Sequence, residues 1–464
     1  MKKGDPFKKL KRKIGVDKVL DRKEDLMVYA VDASYTTPPG NHDPDVVVLA
    51  ETAEDVIQTV LFARETGFHI IPRGAGTGMS AGAVPLGGGI VISTEAMQKI
   101  IELNVNERWI QCQMGLTTAK IKEAAASHKL MYPPDPSSYK ISSIGGNIAE
   151  NAGGLRCVKY GTTKDYVMGL RYVDAEGDVV STGVLQETPG SFDLTPLLVG
   201  SEGLFGVIVE ARLALIPAPK TTFTILAHFS EMSAALEAIH TFLPELSPSV
   251  CELMDHHVIE AIRQFDPYPF PSGTRAAMLV ETDGDFDLAK READRVAEVL
   301  QEKGALELHQ TQDATVRERL WNLRRLVSPA LSRIADGKMN EDVVVPITRM
   351  GELIQCVWEI AEKYEVKIPI YGHAGDGNLH LNVMYNTKNL TMTHIAHDAL
   401  LECFKVVIDL GGVISGEHGI GAAKNRYMNL QYNTEQLRLL KSIKDAFDPT
   451  GLFNPYKFFP TTMR

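Results

Sequence analysis

Cysteine is scarce: Cys112, Cys157, Cys251, Cys356 and Cys403 are the only five in 464 residues, and none forms a CxxC pair. An odd, scattered set gives neither a disulfide framework nor the local spacing of an iron–sulfur site. The thiols read as structural and the compartment as reducing and cytoplasmic. Redox chemistry would then need an organic cofactor or a metal on harder ligands. Also missing is any window near the ~18 uninterrupted apolar residues of a membrane span. Basic excess is lacking too, since 48 Lys and Arg stand against 59 Asp and Glu, a net charge of −11. That balance argues against a duplex nucleic-acid binder, which leans on a basic face. The start, MKKGDPFKKLKRK, is basic, but no apolar h-region follows it, so a secretory signal is not expected. Its charges read as a solvated helix face or as an arm that docks a partner.

What is present is ample core material: 44% of residues are hydrophobic and 23% charged. At ~150 residues per domain the length predicts two or three domains. From Tyr29 to about Pro217 short strands alternate with helices. Val46-Val47-Val48-Leu49 reads as a strand, and Ala53, Val56, Ile57, Val60, Leu61 and Ala63 recur at helical spacing after it. Thr52 is the expected N-cap and Gly67 the expected stop. His69-Ile70-Ile71 and Trp109–Met114 read as further strands, and Thr117 opens a helix. Ile216-Pro217-Ala218-Pro219-Lys220 reads as a linker. Beyond it, strands such as Ala277–Glu281 mix with helices such as Leu288–Glu302 without a βαβ glycine signature. An antiparallel sheet with helices on one face is expected. The fold class is α+β. The expected segments are a basic extension (1–28), an α/β domain (29–218), a cap domain (219–393) and a C-terminal helical segment (394–464).

Arg73-Gly74-Ala75-Gly76-Thr77-Gly78 superficially suggests a dinucleotide fingerprint, which requires a helix directly after the loop. Here Pro85 and Gly87-Gly88-Gly89 follow, and no Lys-Ser or Lys-Thr completes a Walker loop. What remains is a strand–loop–strand turn able to offer successive N–H groups to an anion. Ile144-Gly145-Gly146-Asn147, Asn151-Ala152-Gly153-Gly154 and Gly200–Gly206 add further glycine-rich stretches, and Tyr132–Ser138 a rigid extended one. Several such loops in one domain imply a long ligand touched by main chain. FAD fits; ATP would need fewer contacts.

The ordered motifs PRGAGTG, PPDPSS, IGGNIAENAGG and GSEGLFG resemble the flavoprotein family with the vanillyl-alcohol oxidase type of FAD-binding domain. HAGDGNLH, SGEHGIG and FNPYK resemble, within it, the FAD-linked subunit of glycolate oxidase, D-lactate dehydrogenase and D-2-hydroxyglutarate dehydrogenase. The resemblance spans Tyr29 to Lys457. It implies FAD contacts at Pro72, Arg73, Gly74, Ala75, Gly76, Thr77, Gly78, Pro134, Asp135, Ser143, Gly145, Gly146, Asn151, Gly153, Gly154, Gly206, Val207 and Asn454. The Pro72–Pro85 loop has no His or Cys to attach a flavin covalently, so dissociable FAD is expected.

Ile368–His373 and Asn378–Val383 flank Ala374-Gly375-Asp376-Gly377, which predicts a hairpin with His373 facing Asn378 and Tyr371 facing His380. The two histidines then lie roughly 7–8 Å apart at Cα. Two imidazoles so placed can converge on one ion at about 2.1 Å each. Ser415-Gly416-Glu417-His418-Gly419 offers a carboxylate beside a third imidazole. The resemblance implies His373, His380 and Glu417 as metal ligands, for Zn, Mn or Fe(II). Arg324 matches the family's carboxylate-binding arginine. Lys338 is one residue off the family spacing, and Ser328 stands where a relative has Thr. Asn382, on the hairpin's histidine face, joins them as a substrate contact.

Oxidising a 2-hydroxy acid moves a hydride from C2 to an acceptor such as flavin N5 and a proton from a weakly acidic hydroxyl. A divalent ion lowers the pKa of bound water from 15.7 to ~7, and a bound hydroxyl shifts the same way. His418 is the expected general base. The expected activity is FAD-dependent oxidation of a small D-2-hydroxy acid, D-lactate ahead of glycolate, with a glycolate oxidase FAD-linked subunit or D-2-hydroxyglutarate dehydrogenase as the alternative. Without nicotinamide or iron–sulfur sites in the chain, the family implies an electron-transfer flavoprotein or an iron–sulfur subunit as acceptor. A complex or a homo-oligomer stays open. A metal-free alcohol oxidase and a pure electron-carrier subunit are the rival readings.

Overall fold

The computed structural model describes residues 5–35, 40–188 and 192–463. The chain divides into two compact units: Met1–Ala152, Thr162–Ala218 and Glu417–Arg464 form one, Gly153–Gly161 and Pro219–Gly416 the other. Residues 394–416 therefore belong with the cap sheet, and 417–464 with the glycine loops.

In the first unit, β1 (Val19–Leu20), β2 (Val46–Leu49), β3 (Ile70–Arg73) and β4 (Ile90–Ser93) form a sheet of order β1-β2-β4-β3. The last three are parallel and β1 runs antiparallel along the edge of β2. Val46, Val47 and Val48 are wholly buried, as expected of a strand covered on both faces. The helix Ala53–Thr66 opens on a reciprocal cap: Asp55 N–H donates to Thr52 Oγ1 (3.2 Å) and Thr52 N–H to the Asp55 carboxylate (3.0 Å). It stops at Gly67, whose φ of +77° suits the left-handed turn. A second, antiparallel sheet takes β5 (Ile100–Asn104), β6 (Trp109–Gln113), β8 (Val167–Val173), β9 (Val179–Ser181) and β10 (Val207–Ala214) in the order β5-β6-β10-β8-β9. The short β7 (Leu130–Met131) and β11 (Ile216–Pro217) pair with each other.

One expectation is corrected in this unit. Ile144–Glu150 is a helix despite Gly145 and Gly146, because Ser143 caps it and close packing excludes a side chain at 145. A Cβ there would stand 2.9 Å from that of Met114. The basic N-terminal stretch forms the helix Lys8–Ile14 with Lys8, Lys9, Arg12 and Lys13 exposed, as the reading of a solvated helix face expects. Phe7, Leu10 and Ile14 lie in the core with Val60 and Phe62, while Lys9, Lys11 and Lys18 pair with Glu65, Asp21 and Asp55. Met1–Gly4 fall outside the described residues.

The second unit is one antiparallel sheet of β12 (Thr221–Phe229), β13 (Val250–Met254), β14 (Ala276–Gly284), β15 (Glu307–Thr311), β16 (Gly337–Val344), β17 (Ile370–His373) and β18 (Asn378–Tyr385). Its order is β15-β12-β14-β13-β17-β18-β16. Helices cover both faces, not one. Thr282 bonds the carbonyl of Ala289, placing the helix Phe286–Glu302 against one face. The helices His256–Phe265 and Ala314–Leu331 cover the other, where Leu226, Val250, Met254 and Leu279 supply an apolar patch that needs burying.

That second face also carries buried charge. Asp283 and Glu281 of β14 are fully buried and hold the segment Gly153–Gly161. Lys159 Nζ and Tyr160 Oη lie 2.7 and 2.8 Å from Asp283 Oδ1, and Arg156 reaches both carboxylates. Trp321 Nε1 donates to Glu281 at 2.7 Å. Pairing is what makes buried carboxylates tolerable.

His228 of β12, fully buried beside Tyr268 and Phe270, has its pKa pushed down to about 4 by burial. The unfolded chain therefore binds this proton first, and stability falls as pH drops from about 6.5 to about 4. The expected loss over that window is about 2–3 kcal/mol. His228→Gln should flatten this part of the profile in denaturant melts at pH 4–7; an unchanged slope would exclude His228 as its source.

Candidate active site

In the first unit the glycine motifs meet through main chain. A Cβ on Gly74 would lie 2.1 Å from Ser143 Oγ, which accepts from Ala75 N–H and Gly146 N–H at 3.3 Å each. A Cβ on Gly203 would lie 2.9 Å from Asn454 Nδ2 and 3.2 Å from Pro72. Asn454 N–H donates to Ile70 O (2.9 Å) and its amide to Glu202 O (2.6 Å), joining the FNPYK segment to β3 and the GSEGLFG turn. Gly206 runs at φ +150°, where a Cβ would strike Val173 O, and Val207 starts β10. Asn151 ends its helix in the left-handed region. Gly76, Thr77 and Gly78 continue the loop, which contains no helix.

The remaining flavin candidates are distributed differently. Asp135, after Pro134, pairs with Lys122 at 2.8 Å. Arg73 donates to Val31 O (2.8 Å) and lies over the Tyr29 ring. Gly153 and Gly154 belong to the second unit. Sequence reasoning passed over Glu202, whose carboxylate accepts from Ile420 N–H and Gly421 N–H, and Lys457, whose pKa burial lowers to about 7. Arg73 Nε and Ser80 Oγ, near the two ends of the loop, are buried donors with no hydrogen-bond partner among the described residues. A ligand rich in acceptor oxygens, such as a dinucleotide, would satisfy them, so the residues present fit FAD.

In the second unit the hairpin has the expected register, His373 opposite Asn378 and Tyr371 opposite His380. The His373 and His380 rings stand edge to face with centroids 5.3 Å apart. Strand alternation puts both on the face shared by Asn382, Asn340 and Lys338. Lys338 Nζ donates to Ser328 Oγ at 3.0 Å, so two of the expected substrate residues meet. Asn382 donates to Pro369 O and His380 O, while its Oδ1, like those of Asn378 and Asn340, is buried without a hydrogen-bond partner among the described residues. Imidazoles beside unsatisfied amide oxygens form a donor set that suits a hard or borderline cation and a hydroxyl.

Arg324 is placed by a residue the sequence reading passed over. Its Nε donates to Glu252 Oε2 at 2.5 Å and its guanidinium lies over the Tyr371 ring, 4.7 Å from the centroid. The other Glu252 oxygen meets His373 Nδ1. Burial pushes the Glu252 pKa up, but His373 and Arg324 beside it outweigh that and hold the group below the usual carboxylate range. The available signal was a lone carboxylate in the apolar strand Val250-Cys251-Glu252-Leu253-Met254.

Gly416 ends the second unit with its N–H on Asp342 Oδ2 (2.6 Å), and Asp342 is the register partner of His380. Glu417 follows by one peptide bond, and His418 by two. His418 Nε2 lies 3.9 Å from Glu417 Oε1.

Two sheets in a glycine-looped unit, and in the other unit an antiparallel sheet with a histidine hairpin, define an FAD-linked oxidoreductase. The match to known families agrees. Residues 44–183 match an FAD binding domain, and residues 218–458 the C-terminal domain of FAD linked oxidases. The chain belongs to this FAD-linked oxidase family. It is 35% identical over 440 residues to the glycolate oxidase subunit GlcD of Bacillus subtilis, covering 94% of this chain and 93% of that one. It is 33% identical to D-lactate dehydrogenase of Archaeoglobus fulgidus, over 89% and 90% of the two chains. D-2-hydroxyglutarate dehydrogenase of Stutzerimonas stutzeri is 29% identical, over 97% and 98%. Among solved structures, p-cresol methylhydroxylase superposes with a TM-score of 0.82 at 17% identity, over 98% and 97% of the chains. 4-Ethylphenol oxidase from Gulosibacter chungangensis gives 0.79 at 18%, over 99% and 98%. The fold is thus the vanillyl-alcohol oxidase type. Among the described residues no helix is long and apolar enough to cross a membrane.

Proposed function

We propose that this chain oxidises a small D-2-hydroxy acid to the 2-oxo acid, with D-lactate the favoured substrate and glycolate its nearest rival. The observation that carries the reading is the polar row of Lys338, Asn382, His373 and His380 on one face of the cap sheet, with Arg324 of the helix Ala314–Leu331 tied to His373 through the buried Glu252. Relatives named for glycolate, D-lactate and D-2-hydroxyglutarate support the substrate class. When bound, non-covalent FAD supplies the hydride acceptor, and a divalent ion held by His373, His380 and Glu417 supplies the charge that acidifies the hydroxyl.

The chain's own side chains then divide the remaining work. Arg324 pairs with the substrate carboxylate, and Lys338, steadied by Ser328, adds a second cation. Asn382 lines the substrate face beside the histidines, and His418 takes the hydroxyl proton. Electrons leave to a partner, an electron-transfer flavoprotein or an iron–sulfur subunit, since five dispersed thiols cannot hold a cluster.

Anaerobic titration of the purified holoprotein with D-lactate, L-lactate, glycolate and D-2-hydroxyglutarate tests the reading. D-Lactate is expected to bleach the flavin and L-lactate to leave it oxidised. A flavin that no 2-hydroxy acid reduces would overturn the proposal. Full reduction by glycolate alone would transfer it to the rival substrate.

A further inference from the structure

We propose that Glu252 is a positioning residue that fixes the tautomer of His373 and the approach of Arg324 to the substrate carboxylate. The inference rests on the reading of His373 as a metal ligand and Arg324 as a carboxylate binder. Glu252 sits on β13 directly opposite His373 and has no solvent exposure. One oxygen meets His373 Nδ1 and the other accepts from Arg324 Nε at 2.5 Å.

An ionised carboxylate can only accept, so the proton on His373 must sit on Nδ1. That leaves the lone pair on Nε2, the tautomer a ligating imidazole needs, and the negative neighbour raises its basicity. The same carboxylate occupies Nε of Arg324, while Tyr371 supports the guanidinium plane. A substrate carboxylate is then met end-on, through Nη1 and Nη2. One buried anion thereby orients both a metal-binding and an anion-binding group. Neither is set by its own strand or helix alone.

Glu252→Gln distinguishes this role from simple packing. Arginine carries only donors, so the amide oxygen must face Arg324 and the amide N–H must face His373. Nδ1 becomes an acceptor and the proton moves to Nε2, which removes the ligating lone pair without changing side-chain volume.

The experiment uses FAD-loaded, metal-stripped protein with ¹⁵N-labelled histidine, His373 being assigned by difference against His373→Gln. Wild type is expected to show the Nδ1–H tautomer and Glu252→Gln the Nε2–H tautomer. Zn²⁺ affinity, measured by competition with a chromophoric chelator, should fall about 10–100-fold with flavin content unchanged. Glu252→Asp should retain the Nδ1–H tautomer and recover part of the affinity. An unshifted tautomer in Glu252→Gln, or Zn²⁺ binding as tight as wild type, would overturn the proposal. Failure of the wild-type protein to bind Zn²⁺ would instead sink the metal reading, and the tautomer would still decide for or against Glu252.

Discussion

His418→Ala is expected to slow anaerobic flavin reduction by D-lactate by about 10²–10⁴-fold, the usual contribution of a positioned general base. FAD is expected to stay bound, because the hydrogen bonds that join β3, the 74–78 loop and Asn454 are made without the imidazole. Deprotonation of an aliphatic alcohol is the energetically hard half of the reaction, and the imidazole is the only histidine in the SGEHGIG segment. Stopped-flow absorbance at the flavin band separates this step from electron delivery to a partner. Reduction within tenfold of wild type would remove His418 from the mechanism. Loss of flavin in the variant would instead make it a folding residue.

Arg324→Ala should reduce kcat/KM for a 2-hydroxy acid and destabilise the fold together. Losing a buried charge-assisted contact costs about 2–5 kcal/mol, equivalent to roughly 30- to 4000-fold in kcat/KM. Glu252 would keep only His373 as a partner, and removing one member of a buried ion pair costs about 3–5 kcal/mol. The remaining histidine contact places the stability loss toward the lower end. Arg324→Lys separates the two effects. It restores the charge beside Glu252, so stability should largely return, whereas the planar fork does not, so KM should stay high. Denaturant melts and steady-state kinetics on the same preparations check both. A Lys variant with wild-type KM would exclude a bidentate role for Arg324.

How legible these sites were in the sequence depended on the range of the interactions that build them. The hairpin register followed from a two-residue period and a four-residue turn, both local, and it put His373 opposite Asn378. Thr52 and Gly67 likewise carry their own instructions within a few residues. The helix Ile144–Glu150 was hidden because its glycines oppose helix propensity and are selected by the close approach of Met114. Glu252 was hidden because its partners lie 72 and 121 residues away, and no local period marks a carboxylate that bridges two distant side chains. The solvated face of Lys8, Lys9, Arg12 and Lys13 was legible from the charge run itself, whereas the pairing of Lys9, Lys11 and Lys18 with Glu65, Asp21 and Asp55 needs the folded chain.

The two-residue strand β1 has a consequence out of proportion to its length. It covers the outer hydrogen-bonding edge of β2, whose neighbour on the other side is β4, and β2 belongs to a row of valines with no solvent exposure. A polypeptide shortened past Leu20 would leave a bare, sticky backbone rim flanked by apolar side chains, a template for copies to zip together. Val19 and Leu20 thus act as a selvedge, keeping a woven sheet from joining to its neighbour.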